Sequence, residues 1–303
     1  MFDLIIIGLG PAALTAAIYA GRREMSVLVV GKELGGQLVW ADVIENYPGA
    51  PNIESFKLVN NMRNQAEEAG VEIKSDEIKN IKKDEKETFI IQSNKNEYTS
   101  KSVIIATGLS PRRLAIPGEV EFNGKGISYC ANCDGPFYKN KTVAVVGGGN
   151  SAFDAAEVLS KIAKKVYLIH NKDTFKAFET LKNDIKERSN IEIIKNSEVK
   201  EIKGDRNVES INIINLANNS KKNIDIDGIF IEIGRIASTD MFSEYVARNK
   251  KNQIIVNEKG KTKTDGLYAA GDVTQCEVKQ ITVATGQATI AALDCYNYIK
   301  KFK

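Results

Sequence analysis

Leu4-Ile5-Ile6-Ile7-Gly8-Leu9-Gly10-Pro11-Ala12-Ala13-Leu14 is the stretch on which the fold turns. Four aliphatic residues in a row predict a short strand buried on both faces. Gly8-x-Gly10-x-x-Ala13 follows directly. The first glycine allows a tight turn, the second lets backbone approach a pyrophosphate, and a small third residue lets helix pack on strand. Leu14 to Arg23 continue as an apolar-faced helix, and Ser26-Val27-Leu28-Val29-Val30 returns as a strand. The pattern then repeats. Thr142 to Val146 is a strand, Gly147-Gly148-Gly149-Asn150-Ser151-Ala152 a turn, Phe153 to Ala163 a helix, and Val166-Tyr167-Leu168-Ile169 a strand. Two such units imply two nucleotides, and the usual pairing is a resident flavin with a nicotinamide that comes and goes.

Composition agrees with a globular enzyme of about two domains. The 303 residues are 43% hydrophobic and 27% charged, which excludes a disordered chain. Forty-two basic against 39 acidic residues leave a net charge of +3, too small a field to argue for nucleic acid. The single histidine, His170, excludes a His-rich metal site. Four cysteines are too few for a secreted disulfide framework of this size, so a cytoplasmic location is expected. Leu4 to Gly21 is uncharged, but Pro11 and two glycines interrupt it and no basic segment precedes it. Neither a membrane span nor a signal peptide is expected there.

The rest of the chain fits around these units. Asn80 to Lys101 alternates as an antiparallel hairpin layer. Ser102 to Gly108, Gly228 to Gly234 and Gly266 to Asp272 each read as a strand running into a glycine turn, and Thr285 to Tyr298 as a helix. The fold class is therefore α/β, with two Rossmann-like three-layer nucleotide-binding domains.

Side chains near the second strand of each unit bear on the choice of nucleotide. An acid about 20 residues after the glycines binds a ribose 2′-hydroxyl, and Glu33 is the candidate in the first unit. The second unit has no acid at that point; it reads His170-Asn171-Lys172-Asp173-Thr174-Phe175-Lys176. Lys172 and Lys176 either meet a 2′-phosphate, which suggests NADP, or are simply solvated.

Cys130-Ala131-Asn132-Cys133 carries the most chemistry. Two thiols at this spacing can close a disulfide, open it and form a mixed disulfide with a partner. Zinc would need two further ligands, and Cys276 and Cys295 do not supply them at a CxxC spacing. Those two read as small buried hydrophobes. Asp134 is placed either to move protons for a thiolate or to cap a helix.

With these pieces placed, the chain resembles the low-molecular-weight thioredoxin reductases along essentially its whole length. The stretches that carry the likeness include Gly35-Gly36-Gln37-Leu38, Glu45-Asn46-Tyr47-Pro48-Gly49 and Ala106-Thr107-Gly108. They continue with Tyr129-Cys130-Ala131-Asn132-Cys133-Asp134-Gly135 and Ala269-Ala270-Gly271-Asp272-Val273. The resemblance implies a discontinuous FAD-binding domain of 1–111 and 240–303. An inserted nicotinamide-binding domain of 112–239 carries the CxxC. FAD would meet Gly8, Gly10, Pro11 and Ala12 in the first turn, with Glu33, Gly36 and Gln37 beyond it. Asn46, Thr107, Gly108, Gly271, Asp272 and Gln280 match further FAD-lining positions. The nicotinamide would meet Gly147, Gly149, Asn150 and Ser151, with His170, Lys172 and Lys176 at its phosphate.

The implied electron path runs from NADPH to FAD, to the Cys130–Cys133 disulfide, and on to thioredoxin. Cys133 would lie against the flavin, Cys130 would attack the thioredoxin disulfide, and Asp134 would handle protons. Both the nicotinamide and the CxxC must reach one flavin, so the resemblance implies rotation of the inserted domain. The hinges would lie near Ser110-Pro111-Arg112 and Ile236-Ala237-Ser238. A homodimer is implied as well. The phosphate stretch departs from the family's His-Arg-Arg and following Arg; lysines and an asparagine replace the arginines. Bidentate phosphate contact is lost, so NADH becomes a donor to test beside NADPH. Another redoxin or a peroxiredoxin-linked carrier is the alternative acceptor, and a ferredoxin-type protein the alternative donor.

Overall fold

The computed structural model describes residues 1–40 and 43–302. The chain divides into two compact units. One comprises Met1–Ser110 and Ile236–Lys303, the other Pro111–Arg235.

In the first unit, strand Phe2–Ile7 runs parallel to Val27–Gly31 on one side and to Glu97–Ile105 on the other. Glu72–Ser75 extends the sheet beyond Val27–Gly31. Glu97–Ile105 is long enough to serve two partners on its outer edge. Phe89–Ser93 pairs antiparallel with its first half, and Leu267–Ala269 pairs parallel with its second. Ile78–Lys83 completes the antiparallel part. Strand alternation splits the core in two. Leu4, Ile6, Val27 and Val29 meet the alanine-rich faces of helices Pro11–Gly21 and Ile281–Ile299. Ile5, Ile7, Leu28 and Val30 point the other way and pack with Phe89, Ile91 and Phe242. The antiparallel strands form the hairpin layer that their alternation predicts. They continue the main sheet through Glu97–Ile105 and fold over its second face.

The second unit has a five-stranded parallel sheet. Its order is Ile127–Ser128, Gly228–Ile231, Thr142–Val146, Lys165–Ile169 and Ile191–Ile194. Helix Asn150–Ser160 covers one face through Ala152, Phe153, Ala156 and Leu159. A three-stranded antiparallel sheet, Ser197–Gly204, Val208–Asn215 and Lys221–Asp225, covers the other through Val199, Ile202, Ile211 and Ile213. The architecture is therefore α/β with two Rossmann-like units.

Helix starts differ from the sequence expectation. The first two glycine-turn helices begin at Pro11 and Asn150, within the turns, rather than at Leu14 and Phe153. Pro11 sits at the first helical position, where its missing N–H costs no intrahelical bond. The C-terminal helix begins at Ile281 rather than Thr285. Leu4 to Gly21 divides into a strand and a separate helix. Among the described residues no helix is long and apolar enough to cross a membrane.

Candidate active site

The first glycine turn is shaped by backbone contact. Gly8 has φ +127°, and a Cβ there would run into the carbonyl of Ala106 on the neighbouring strand. Gly10 caps the following helix with extended backbone and no side-chain hydrogen bond. A Cβ on Gly10 would meet only the Gly35 carbonyl, at 3.8 Å, and one on Gly36 would lie 3.6 Å from the Gly10 Cα. Two glycine loops therefore face each other around a helix N-terminus, where unpaired N–H groups and the helix dipole favour an anion.

Tertiary folding brings the C-terminal residues to this turn. A Cβ on Gly271 would lie 2.9 Å from the Ala12 side chain. Gln37 donates from Nε2 to Oδ2 of Asp272 at 3.2 Å, and a Cβ on Gly108 would lie 3.6 Å from the same Gln37 nitrogen. Asn46 donates from Nδ2 to Oε1 of Gln280, also at 3.2 Å. Glu33 follows the end of strand Val27–Gly31 with its side chain exposed. The Thr107 hydroxyl is buried without a hydrogen-bond partner among the described residues. A buried orphan hydroxyl is costly, and a bound polar group is the natural way to satisfy it. The glycine cradle and this hydroxyl fit a dinucleotide.

Sequence reading missed two supports of this loop. Gln287 accepts from the Gly271 N–H at 2.9 Å. Lys279 donates from Nζ to the carbonyls of Asp272 and Thr274, each at 2.9 Å, and burial pushes its pKa down. Neither a lone Lys in a loop nor a lone Gln in a helix carries a sequence signal.

The second glycine turn repeats the first. Gly147 is packed so that a Cβ would strike the Glu232 carbonyl, whereas Gly149 has open space. The His170 ring lies against Gly148, stacks on Phe175 with centroids 5.1 Å apart, and places Nε2 3.1 Å from the Thr174 carbonyl. Burial lowers its pKa, and Lys172 and Lys195 add to the effect. Lys172 and Lys176 are exposed, and the Lys176 N–H bonds back to the Gly148 carbonyl at 2.8 Å. Ser151 is exposed in the first turn of the helix. The Asn150 side chain is not idle: its Oδ1 accepts from the Phe178 N–H at 3.0 Å.

Cys130 and Cys133 form a disulfide, with their Cα atoms 5.4 Å apart. Cys133 and Asp134 lie on the one-turn helix Ala131–Asp134, and Cys130 is its N-cap. The Cys130 Sγ accepts from the Cys133 N–H at 3.1 Å, a contact that would stabilise a thiolate after reduction. Ala131 is buried against the side of helix Asn150–Ser160. Asp134 ends the short helix and stands at the N-cap position of the 3-10 turn Gly135–Tyr138 that follows, without a side-chain capping bond. Cys295 is fully buried, with its thiol pushed up to about 12. Cys276 departs from expectation: it is only half-buried, on the loop after Thr274, with its Sγ 3.6 Å from the Val278 carbonyl.

The profile of the family described as Pyridine nucleotide-disulphide oxidoreductase matches residues 2–288. The chain belongs to this family. Among curated relatives, the oxidoreductase is 34% identical to Bacillus subtilis thioredoxin reductase, covering 100% of this chain and 96% of that one. It is 40% identical to a 34.2 kDa protein in a rubredoxin operon of Clostridium pasteurianum, covering 98% and 97%. A crystal structure of Lactococcus lactis thioredoxin reductase superposes with a TM-score of 0.87 at 35% identity, covering 99% and 100%. The chain is thus an FAD- and NAD(P)H-dependent disulfide oxidoreductase with an intact CxxC disulfide.

Proposed function

We propose that the chain is a thioredoxin-disulfide reductase. It takes electrons from NADPH, or from NADH, and delivers them through FAD and the Cys130–Cys133 dithiol. The observation that carries this reading is the disulfide itself, held at a helix N-terminus on a unit with its own nucleotide turn. FAD would supply two-electron exchange between the nicotinamide and the disulfide.

The chain's own residues divide the remaining work. The Gly8–Gly10 turn and Gly36 leave room for the pyrophosphate, and the Thr107 hydroxyl offers a bond to the cofactor. Gln37, Asp272, Asn46 and Gln280 join the two ends of the chain around it. On reduction the S–S bond breaks, and Cys130 becomes the thiolate, stabilised by the Cys133 N–H. It attacks the thioredoxin disulfide to form a mixed disulfide, releasing one thioredoxin sulfur as a thiolate, which takes a proton from water. Asp134, one residue beyond Cys133, accepts the proton as the Cys133 thiol attacks in turn. That attack reforms Cys130–Cys133 and expels the second thioredoxin sulfur, which takes the proton from Asp134 and leaves as a thiol.

Exposed Lys172 and Lys176 are point charges that favour a 2′-phosphate without selecting it strongly, so both donors are assigned. The family likeness supports a homodimer, and the reducing chemistry supports a cytoplasmic setting. The deciding experiment is anaerobic titration of the purified yellow protein with each nicotinamide, followed by thioredoxin turnover. Flavin bleaching and turnover are expected. A protein that bleaches with neither donor, or bleaches but never reduces thioredoxin, defeats the reading.

A further inference from the structure

Between strand Ile127–Ser128 and helix Ala131–Asp134, only Tyr129 and Cys130 lie outside regular structure. Ser128 is buried and ties down the Cys130 backbone. Its Oγ accepts from the Cys130 N–H at 3.0 Å and donates to the Cys130 carbonyl at 3.2 Å. Tyr129 is tied down elsewhere, by a carboxylate that the reaction does not use. Its hydroxyl donates to Oε1 of Glu119 at 2.9 Å.

Glu119 is only 1% exposed. Besides Tyr129 it accepts from the backbone N–H groups of Leu114, at 2.9 Å, and Ala115, at 2.6 Å. Ala115 is a non-glycine residue with φ +57°, so the turn that aims these N–H groups is itself unusual. Burying a carboxylate costs several kcal/mol unless hydrogen bonds replace its water. Three charge-assisted bonds do so here. Burial, with the Glu119 carboxylate adding to the effect, raises the Tyr129 pKa well above its ordinary value, so the phenol stays a donor. Leu114 and Ala115 belong to the segment by which the chain enters the second unit, four and five residues after Ser110–Pro111 begins that crossing.

We propose that Glu119 and Tyr129 are positioning residues for the dithiol: they fix the backbone that presents Cys130 and fasten it to the segment entering the unit. The chemistry of the thiols is unchanged by them. What they set is the effective concentration of one sulfur at the other, and the aim of Cys130 at an incoming disulfide. Both are steep functions of geometry.

The inference rests on the thioredoxin-reductase reading, so its test has a part that does not. The variants are Tyr129→Phe, which keeps the ring and removes one hydroxyl, and Glu119→Gln. Oxidised and reduced protein are first equilibrated in dithiothreitol redox buffers, and the Cys130–Cys133 state is read by alkylation. Loosening Cys130 lowers the effective concentration that favours the disulfide, so the equilibrium is expected to move at least about threefold toward dithiol. In turnover, kcat with thioredoxin is expected to fall roughly fivefold to tenfold in Tyr129→Phe, while reduction of ferricyanide, which bypasses the dithiol, is unchanged. An unshifted dithiothreitol equilibrium in Tyr129→Phe overturns the proposal. So does an equal loss of both activities, which would mark a general structural defect. Should Glu119→Gln fail to fold, Tyr129→Phe decides alone. If the wild type does not reduce thioredoxin, the functional reading fails while the dithiothreitol equilibrium still judges Glu119 and Tyr129.

Discussion

Gln37 and Asp272, 235 positions apart in sequence, are joined by a 3.2 Å hydrogen bond from Nε2 to Oδ2. The contact closes the first unit across the whole inserted segment, and with Gly108 and Gly271 it assembles one surface from three stretches of chain. Whatever binds there reads all three at once.

Thr107→Val separates the two roles of a buried hydroxyl. The hydroxyl has no partner among the described residues, so replacing it with a methyl group should leave the flavin-free protein equally stable or up to ~1 kcal/mol more stable. The same change should weaken FAD binding several-fold. Thermal melts of the apoprotein and flavin release by ultrafiltration measure the two effects. Destabilised apoprotein with undiminished flavin affinity would place the cofactor elsewhere.

Serine at Cys130 or at Cys133 should abolish thioredoxin turnover, by at least about 10³-fold, and leave nicotinamide bleaching of the flavin intact. In the Cys130→Ser protein, the remaining Cys133 thiol should alkylate more slowly at neutral pH than Cys130 does in Cys133→Ser. The backbone N–H at the helix start favours a thiolate at position 130. Equal alkylation profiles would remove that assignment of the nucleophile.

Glu232 gives stability a pH dependence. Burial raises its carboxyl to about 7; Arg235 opposes the rise and Asp154 adds to it. The folded chain therefore keeps a proton that the unfolded chain gives up, and stability falls as pH climbs from about 4.5 to about 7. Above that range the deficit is complete. Glu232→Gln should then gain roughly 2 kcal/mol at pH 8, after allowance for partial solvent screening, and almost nothing at pH 4. Urea unfolding at the two pH values is the measurement. A gain of the same size at both would show that packing, not charge, is responsible.

Lys172→Ala combined with Lys176→Ala should raise KM for NADPH about tenfold and leave KM for NADH within twofold. Steady-state assays with both donors at low and high salt check this, since contacts between exposed charges weaken with ionic strength. An equal effect on both donors would mean that the two lysines do not meet a 2′-phosphate.

The residues most readily read from sequence are those whose role is local. Gly8 and Gly147 stand out because a strand turning into a helix leaves no room for a Cβ, and the CxxC because thiol exchange demands that spacing. The helices start three residues before Leu14 and Phe153 because the glycine turns themselves supply the first helical residues. The half-buried state of Cys276 and the continuity of the antiparallel strands with the main sheet had no local signature.

The chain's sequence alone determined the strand–turn–helix repeat, the α/β class and the dithiol, since backbone sterics and aliphatic runs act over a few residues. Only the tertiary structure decided that Gln37 meets Asp272, that Thr107 is left with an unbonded hydroxyl, that Glu232 is half-buried, and that Glu119 holds Tyr129. Those facts depend on which distant segments exclude water from one another, and no short stretch of residues carries that information.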